Sequence, residues 1–290
     1  RKTAILQIIG YCMTTSVELQ KAFIFLGKTA GNGKSTLLKV IDELIGDSNI
    51  SHITLQSLQQ DKFSSSSLTN KLLNMVAELP RSHLKTIEVF KSLVTGDKMA
   101  AEKKYKDSFT IKPYAKNLFT ANELPRVDDK SDGYFRRLNI LIFDKKFTAK
   151  EVDAFDFKKL ITQEALEYLA CISIKAYMEL LSSGTRLFAN EEESQKEVEK
   201  YRKENNSVLS FLDSDEIKDM IITGQSIYRP ELYSKYKLYC ADCNYKPLSR
   251  NKFYDEIRET GLFDEKLKDG YPQFKRRNNV ISFGGDNQSA

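Results

Sequence analysis

Histidine and cysteine are scarce in these 290 residues, with two and four copies, and the shortage limits metal chemistry. Cys240 and Cys243 form a CxxC pair, half of what a zinc site requires, but His52 and His83 stand far from it and from each other. The pair also falls in a helical pattern with Leu232, Tyr236 and Tyr239, which reads as core packing. No zinc is expected. Cys12 and Cys171 have no sequence neighbour to staple, which points to a reducing compartment. Long hydrophobic runs are missing as well. A spanning helix needs about 20 apolar residues, and the longest candidate, residues 157–181, is broken by Lys158, Lys159, Glu164, Glu167, Lys175 and Glu179. No membrane association is expected. Arg1-Lys2 followed by Ile5, Leu6, Ile8 and Ile9 imitates a signal peptide, but the run is short and lacks a small-residue cleavage site. Because position 1 is not methionine, a piece of a longer protein is the better reading.

What is present is ordinary for a globular chain. Hydrophobic residues make up 41% and charged residues 29%, which excludes disordered and fibrous classes. The length exceeds what one core usually fills, so a domain plus a smaller second one is expected. The net charge of +5 is too mild to identify a partner, but its location is informative. Residues 98–147 hold twelve Lys and Arg against seven Asp and Glu, and residues 246–277 hold nine against six.

Residues 21–26 (KAFIFL) read as a buried strand. A glycine-rich loop follows, and Leu37, Leu38, Val40, Ile41 and Leu44 then recur at helical spacing. Strand, loop and helix in this order open a parallel α/β sheet. Further strands are expected at residues 53–55, 72–77, 116–121 and 138–143, with a helix from Leu84 to about Gly96. The fold class is therefore α/β, a three-layer sandwich. After Phe147 the pattern turns helical, with one long amphipathic helix over 157–181 and a charged one over 191–203. A hinge is expected at Asn205-Asn206-Ser207. Beyond it, Pro230 opens one helix and Ser249 caps another. Asp269-Gly270 turns a hairpin between residues 263–268 and 271–283. Helices followed by a basic hairpin make a winged helix.

The loop reads Gly27-Lys-Thr-Ala-Gly-Asn-Gly-Lys-Ser-Thr36. Small residues there let consecutive backbone N–H groups wrap a phosphate at a helix N-terminus. Lys34 would reach the β- and γ-phosphates, and the Ser35 hydroxyl would ligate Mg²⁺. Five residues separate Gly27 from Gly33, where four are usual. Either Lys28 takes the usual glycine position or the loop is one residue longer. Glu78 ends an apolar strand and suits a water-polarising or metal-holding acid, although Ala77 stands where a paired aspartate is common. Asn122 ends another strand and would orient water or the γ-phosphate, since ligands of open α/β sheets sit beyond the strands' carboxyl ends. Arg136 and Arg137 precede the last strand, and a guanidinium suits γ-phosphate stabilisation, including from a neighbouring subunit.

Together, GNGKST, KLLNMVAELP, FTIKPYAKNLFTANELP and FRRLNILIF resemble the superfamily 3 helicases, nearest the primase–helicase branch of phages, plasmids and poxviruses. The tail from Pro230 resembles the winged helix that often follows in that branch. The resemblance implies an AAA+-like core. ATP and Mg²⁺ would be held by Gly31, Asn32, Gly33, Lys34, Ser35 and Thr36, with Glu78 as the Walker B acid and Asn122 as sensor 1. Arg136 or Arg137 would be a finger supplied in trans within a ring, typically a hexamer. It also implies a hairpin over residues 98–112 that grips single-stranded DNA through Lys103, Lys104, Tyr105 and Lys106. Independently of the resemblance, lysines bind phosphates without reading sequence, and a tyrosine stacks on bases.

In the winged module, the helix after Ser249 would expose Arg250, Asn251, Tyr254 and Arg258, and the hairpin adds Lys275, Arg276 and Arg277. That surface suits duplex DNA, though winged helices also dock proteins. The expected organisation is the end of a helical segment (1–20), the ATPase core (21–147), a helical connection (148–205) and the winged helix (206–290). The expected function is ATP-dependent unwinding of single-stranded and forked DNA for a phage or mobile-element replication protein. It would act in the cytoplasm of a bacterial host or virus-infected cell, with a primase or polymerase as a further partner. An origin-binding initiator ATPase or a protein-remodelling ATPase are the alternatives.

Overall fold

The computed structural model describes residues 1–29, 31–61, 63–80, 82, 84, 87–103, 105, 107–127, 131–153, 156–159, 161–215, 217, 226–243, 245–268 and 271–276. The chain divides into two compact units, Arg1–Arg202 and Lys203–Ala290.

In the first unit, α1 (Lys2–Cys12) precedes β1 (Ala22–Leu26) and α2 (Lys34–Ile45). Next come β2 (Ile50–Ser51), α3 (Leu55–Gln60), β3 (Leu73–Val76) and α4 (Glu88–Thr95). A separate two-stranded ribbon of β4 (Met99–Ala101) and β5 (Phe109–Ile111) leads to β6 (Lys116–Ala121), α5 (Asp132–Phe135) and β7 (Leu138–Ile142). Three helices, α6 (Ala149–Asp153), α7 (Gln163–Ser182) and α8 (Glu191–Glu204), run on from there. The main sheet has the order β2-β3-β6-β1-β7 and is parallel throughout.

A parallel sheet covered on both faces needs strands that are apolar on both sides, and β1 meets this with five consecutive buried residues. Ala22, Ile24 and Leu26 join the cluster that includes Phe90 and Leu93 of α4 and Tyr134 of α5. Phe23 and Phe25 point the other way, among Ile8 of α1, Ile41 of α2 and Tyr177 of α7. On that second face α1 and α7 cross so closely that a methyl group at Gly10 would lie 2.2 Å from the Ser173 carbonyl oxygen.

Three expected elements differ. The helix expected from Leu84 begins at Glu88, because the Leu84 N–H goes to the Arg126 carbonyl at 2.9 Å and Leu84 bridges to Val127. Residues 53–55 do not form a strand. The Asn74 carboxamide takes the Ile53 N–H (2.9 Å) and donates to the Ile53 carbonyl (3.0 Å), standing in for a neighbouring strand. Thr54 then caps α3, its hydroxyl accepting the Ser57 N–H at 3.0 Å, so the strand ends after Ser51. The long helix begins at Gln163 rather than near 157, because Thr162 caps it by accepting the Ala165 N–H. Residues 157–159 form a separate 3₁₀ turn.

The core also holds polar groups, and two of them bind several partners each. Asn74 donates to Asn117 Oδ1 at 3.1 Å and accepts from the Ser51 hydroxyl, across three adjacent strands. Lys116, 2% exposed, donates to the carbonyls of Thr14, Ser16 and Tyr114, and its ammonium lies 5.1 Å from the Tyr11 ring centroid. Burial pushes its pKa down to about 8. The lysine thereby ties the turn after α1 to the start of β6.

The second unit contains α9 (Ser207–Leu212), β8 (Ile227–Tyr228), α10 (Arg229–Asp242), α11 (Arg250–Glu259), β9 (Phe263–Lys268) and β10 (Tyr271–Arg276). The sheet order is β8-β10-β9, antiparallel, and α10 and α11 stand between β8 and β9 in the chain. Asn206, expected at a hinge, caps α9 by accepting the Val208 and Leu209 N–H groups. Ser249 precedes α11 without a side-chain capping bond. Cys240 is buried beside Tyr236, whose ring stacks on Phe253 at 4.3 Å. Tyr254, expected at the surface, is 6% exposed. Its ring lies 4.4 Å from the Arg229 guanidinium and 5.9 Å from Phe274, and this packing draws it inward. The turn residues Asp269 and Gly270 lie outside the described residues, as does everything expected of the second hairpin strand beyond 276. Among the described residues no helix is long and apolar enough to cross a membrane.

Replacing Lys116 with methionine keeps the stem but strands three buried carbonyls, each having lost a bond to a charged donor. Lys116→Met is expected to lower stability by about 2–3 kcal/mol, read from urea unfolding followed by circular dichroism.

Candidate nucleotide site

Parallel strands deliver their carboxyl ends to one edge, and four of them meet here. Leu26 pairs with Ala121 on one side and Ile142 on the other. The loops after β1, β6 and β7 therefore leave side by side, and Leu79 joins them by donating to the Thr120 carbonyl at 2.7 Å.

Gly27 closes the strand instead of opening the phosphate loop. Its N–H goes to the Ala121 carbonyl at 3.0 Å, and its own carbonyl receives the Lys34 ammonium at 2.9 Å. A side chain at Gly27 would run into Asn32 and Lys34. Lys28 is exposed. The turn is completed by Gly31 and Gly33, with φ of +71° and +87°, values that suit glycine. Asn32 is buried and braces the loop from within: its amide donates to the Thr29 carbonyl at 2.6 Å and the Phe143 carbonyl at 3.4 Å, and its oxygen accepts from Lys34 at 3.2 Å.

Lys34 is the first residue of α2, and its ammonium also donates to Asn122 Oδ1 at 3.4 Å. Burial pulls its pKa below the ordinary lysine value, and the Glu78 carboxylate offsets part of that. A buried cation with neutral acceptors and one exposed carboxylate nearby leaves positive charge unmatched, which a phosphate would complete. Ser35 and Glu78 are exposed, and Thr36 is half-buried. Lys34, Asn122 and Glu78, far apart in the sequence, are thus brought together.

Residues 25–137 match a family of unknown function (DUF5906), and residues 203–288 match the poxvirus D5 protein-like family. A putative helicase (L207/L206) of Acanthamoeba polyphaga mimivirus is 27% identical over 150 residues, 49% of this chain and 15% of the relative. The chain therefore matches only about a seventh of that relative's length. Among solved structures, the C-terminal region of NrS-1 in its apo form superposes with a TM-score of 0.53 at 19% identity, over 93% of this chain and 70% of that one. The superposition shows a shared fold.

The poxvirus-family match and the viral relative support the resemblance to the superfamily 3 helicases. Against that resemblance the placement of the two arginines is informative. Both stand before β7, and the Arg137 carbonyl accepts the Ala22 N–H at the opposite edge of the sheet from Lys34. The five-residue pairing of β1 with β7 separates the edges by about 15 Å. Arg137 is 8% exposed and donates to the Gly133 carbonyl, whereas Arg136 is exposed. Burial, reinforced by the neighbouring Arg136 charge, lowers the Arg137 pKa.

The expected DNA-contacting residues fall in both units. The β4–β5 ribbon pairs Met99 with Ile111 and Ala101 with Phe109. Tyr105 is fully exposed at φ +63°, and the Lys103 ammonium lies 5.7 Å from the Phe109 ring. Lys104 and Lys106 lie outside the described residues. In the second unit Arg250 is exposed at the start of α11, its guanidinium 5.6 Å from the Tyr233 ring. Arg258 is met by Asp255 (2.5 Å) and Glu265 (2.9 Å). Lys275 and Arg276 lie on β10 opposite Asp264 and Phe263, and Arg277 lies outside the described residues.

Sequence reasoning missed Phe147, whose N–H donates to the Gly31 carbonyl at 2.9 Å. Only the tertiary return of the chain after β7 brings it there. At Gly33, an added methyl would meet the Phe147 ring at 3.1 Å and would sit at φ +87°. Gly33→Ala is therefore expected to cost about 1–2 kcal/mol of stability, measured by urea titration against the wild type.

Proposed function

We propose that the chain is the motor core of an ATP-dependent DNA helicase serving the replication of a phage or other mobile element. The observation that carries this reading is the convergence of Lys34, Asn122 and Glu78 on one strand edge beside a glycine loop. In this reading Lys34 and the N–H groups opening α2 hold the triphosphate, with Gly31, Asn32, Gly33 and Thr36 shaping the loop. Glu78 polarises the attacking water and Asn122 orients it. The donor set fits magnesium, which takes few protein ligands besides phosphate oxygens and water. The Ser35 hydroxyl would ligate it and Glu78 would reach it directly or through water. The ion supplies neutralisation of phosphate charge.

An arginine at the far edge of the sheet does not serve its own chain's site. This supports a ring, a hexamer by family resemblance, in which Arg136 reaches a neighbour's γ-phosphate. Of the two candidates, Arg136 is preferred because Arg137 is turned inward. Hydrolysis between subunits would then shift the ribbons, with Lys103, Lys104, Tyr105 and Lys106 holding one DNA strand. The winged unit, through Arg250, Lys275, Arg276 and Arg277, would contact duplex ahead of the fork or a primase or polymerase. The setting would be the cytoplasm of a bacterial host or virus-infected cell. Strong duplex binding without strand separation would favour the initiator alternative.

ATPase and forked-duplex unwinding test this reading. Lys34→Ala is expected to abolish both, and ordinary ATPase in that variant removes the nucleotide assignment. Tyr105→Ala should keep basal ATPase but lose stimulation by single strands and unwinding. Unchanged unwinding there sinks the ribbon mechanism.

The trans arrangement has its own test. Arg136→Ala and Lys34→Ala subunits, each inactive alone, should regain ATPase when mixed, since some interfaces then pair an intact loop with an intact arginine. No recovery on mixing argues against a shared site.

A further inference from the structure

Phe147 is a large apolar side chain that the core does not claim. It is 37% exposed, whereas Phe143, four residues earlier, turns inward and packs on Phe25 at 5.2 Å. A local explanation is available. Thr148 and Glu151 form a reciprocal capping box at the start of α6, the Thr148 N–H donating to Glu151 at 2.8 Å and the Glu151 N–H to Thr148 at 3.3 Å. Such boxes often carry a hydrophobic residue at this position to cover the one five places on, here Val152. Val152 remains 55% exposed, so that contact does not account for the ring. The side chain goes to the glycine loop instead. Its N–H holds the Gly31 carbonyl, and its Cε2 edge lies where a Gly33 side chain would be. The capping box and this hydrogen bond hold the backbone on both sides of the ring.

We propose that Phe147 is the platform on which the base of the bound nucleotide stacks. The inference rests on the nucleotide site proposed above and adds to it the contact for the nucleoside end. A nucleotide anchored by its phosphates at Lys34 must lay its base within one nucleoside's length of the loop, and Phe147 offers a fixed aromatic surface touching that loop. Every base has a π-face, so stacking tolerates any of them and gives affinity with little base selectivity. The Lys145 ammonium now lies 4.5 Å from the ring centroid and is paired with Glu151 at 3.1 Å. Both side chains are about half exposed, and an exposed cation–π contact is weaker than base stacking. A base therefore displaces the lysine.

The test compares three probes on the full chain: ATP, inorganic tripolyphosphate, and 2-aminopurine riboside triphosphate, whose fluorescence falls on stacking. Wild type should bind ATP at least about 10-fold more tightly than tripolyphosphate and quench the 2-aminopurine probe. Phe147→Ala should lose that advantage and the quenching while holding tripolyphosphate as before, and Phe147→Trp should restore both. Wild-type preference for ATP and full quenching in Phe147→Ala overturn the platform. Equal wild-type affinity for ATP and tripolyphosphate overturns it too, and leaves the phosphate site standing. A wild type that binds neither probe overturns the phosphate site and the platform with it.

Discussion

The parallel pairing of β1 with β6 and β7 is the constraint on which the rest of the first unit depends. Because the strands run the same way, their carboxyl ends share an edge. The Gly27 N–H to the Ala121 carbonyl and the Phe143 N–H to the Leu26 carbonyl extend the ladders one residue past that edge. The loops that carry Lys34, Asn122 and Phe147 leave from these last rungs. Lys34 meets Asn122 across 88 positions of sequence because a ladder, not a loop, sets the spacing.

The same pairing determines what lies far away. Arg136 and Arg137 enter β7 at its amino end, so the strand that places Phe143 near Lys34 puts the arginines at the opposite edge. In the second unit, the aromatic stack of Tyr236, Phe253, Tyr254 and Phe274 holds α10 and α11 against the small sheet. It takes Tyr254 out of the surface and leaves Arg250 exposed.

Polar groups inside an apolar core define the less regular parts. Asn74 satisfies both backbone groups of Ile53, which lets β2 stop after two residues and frees Thr54 to begin a helix. Lys116 gathers three carbonyls that no strand serves. Asn32 does the same inside the glycine loop. Each compensates a buried backbone group that regular structure leaves unpaired.

Much of this was legible in the chain's own pattern. Five apolar residues ending in a glycine loop and a periodic helix determine β1, the loop and α2 by local preference and two-sided burial. The alternation in Phe109, Thr110 and Ile111 likewise determines the ribbon strand. Period alone could not show that residues 53–55 would be taken by a side chain from β3, nor that Tyr254 would be drawn under Arg229. In both places a contact distant in sequence outweighs a local preference worth less than one buried hydrogen bond or ring contact. The sequence by itself determined which residues are candidates to hold a phosphate, because small residues, a lysine and a hydroxyl must be neighbours to do so. The tertiary structure alone decided which arginine faces outward, that Gly27 closes the strand, and that Phe147 lies against the loop. Those outcomes depend on where strands end in space, which no stretch of neighbouring residues encodes.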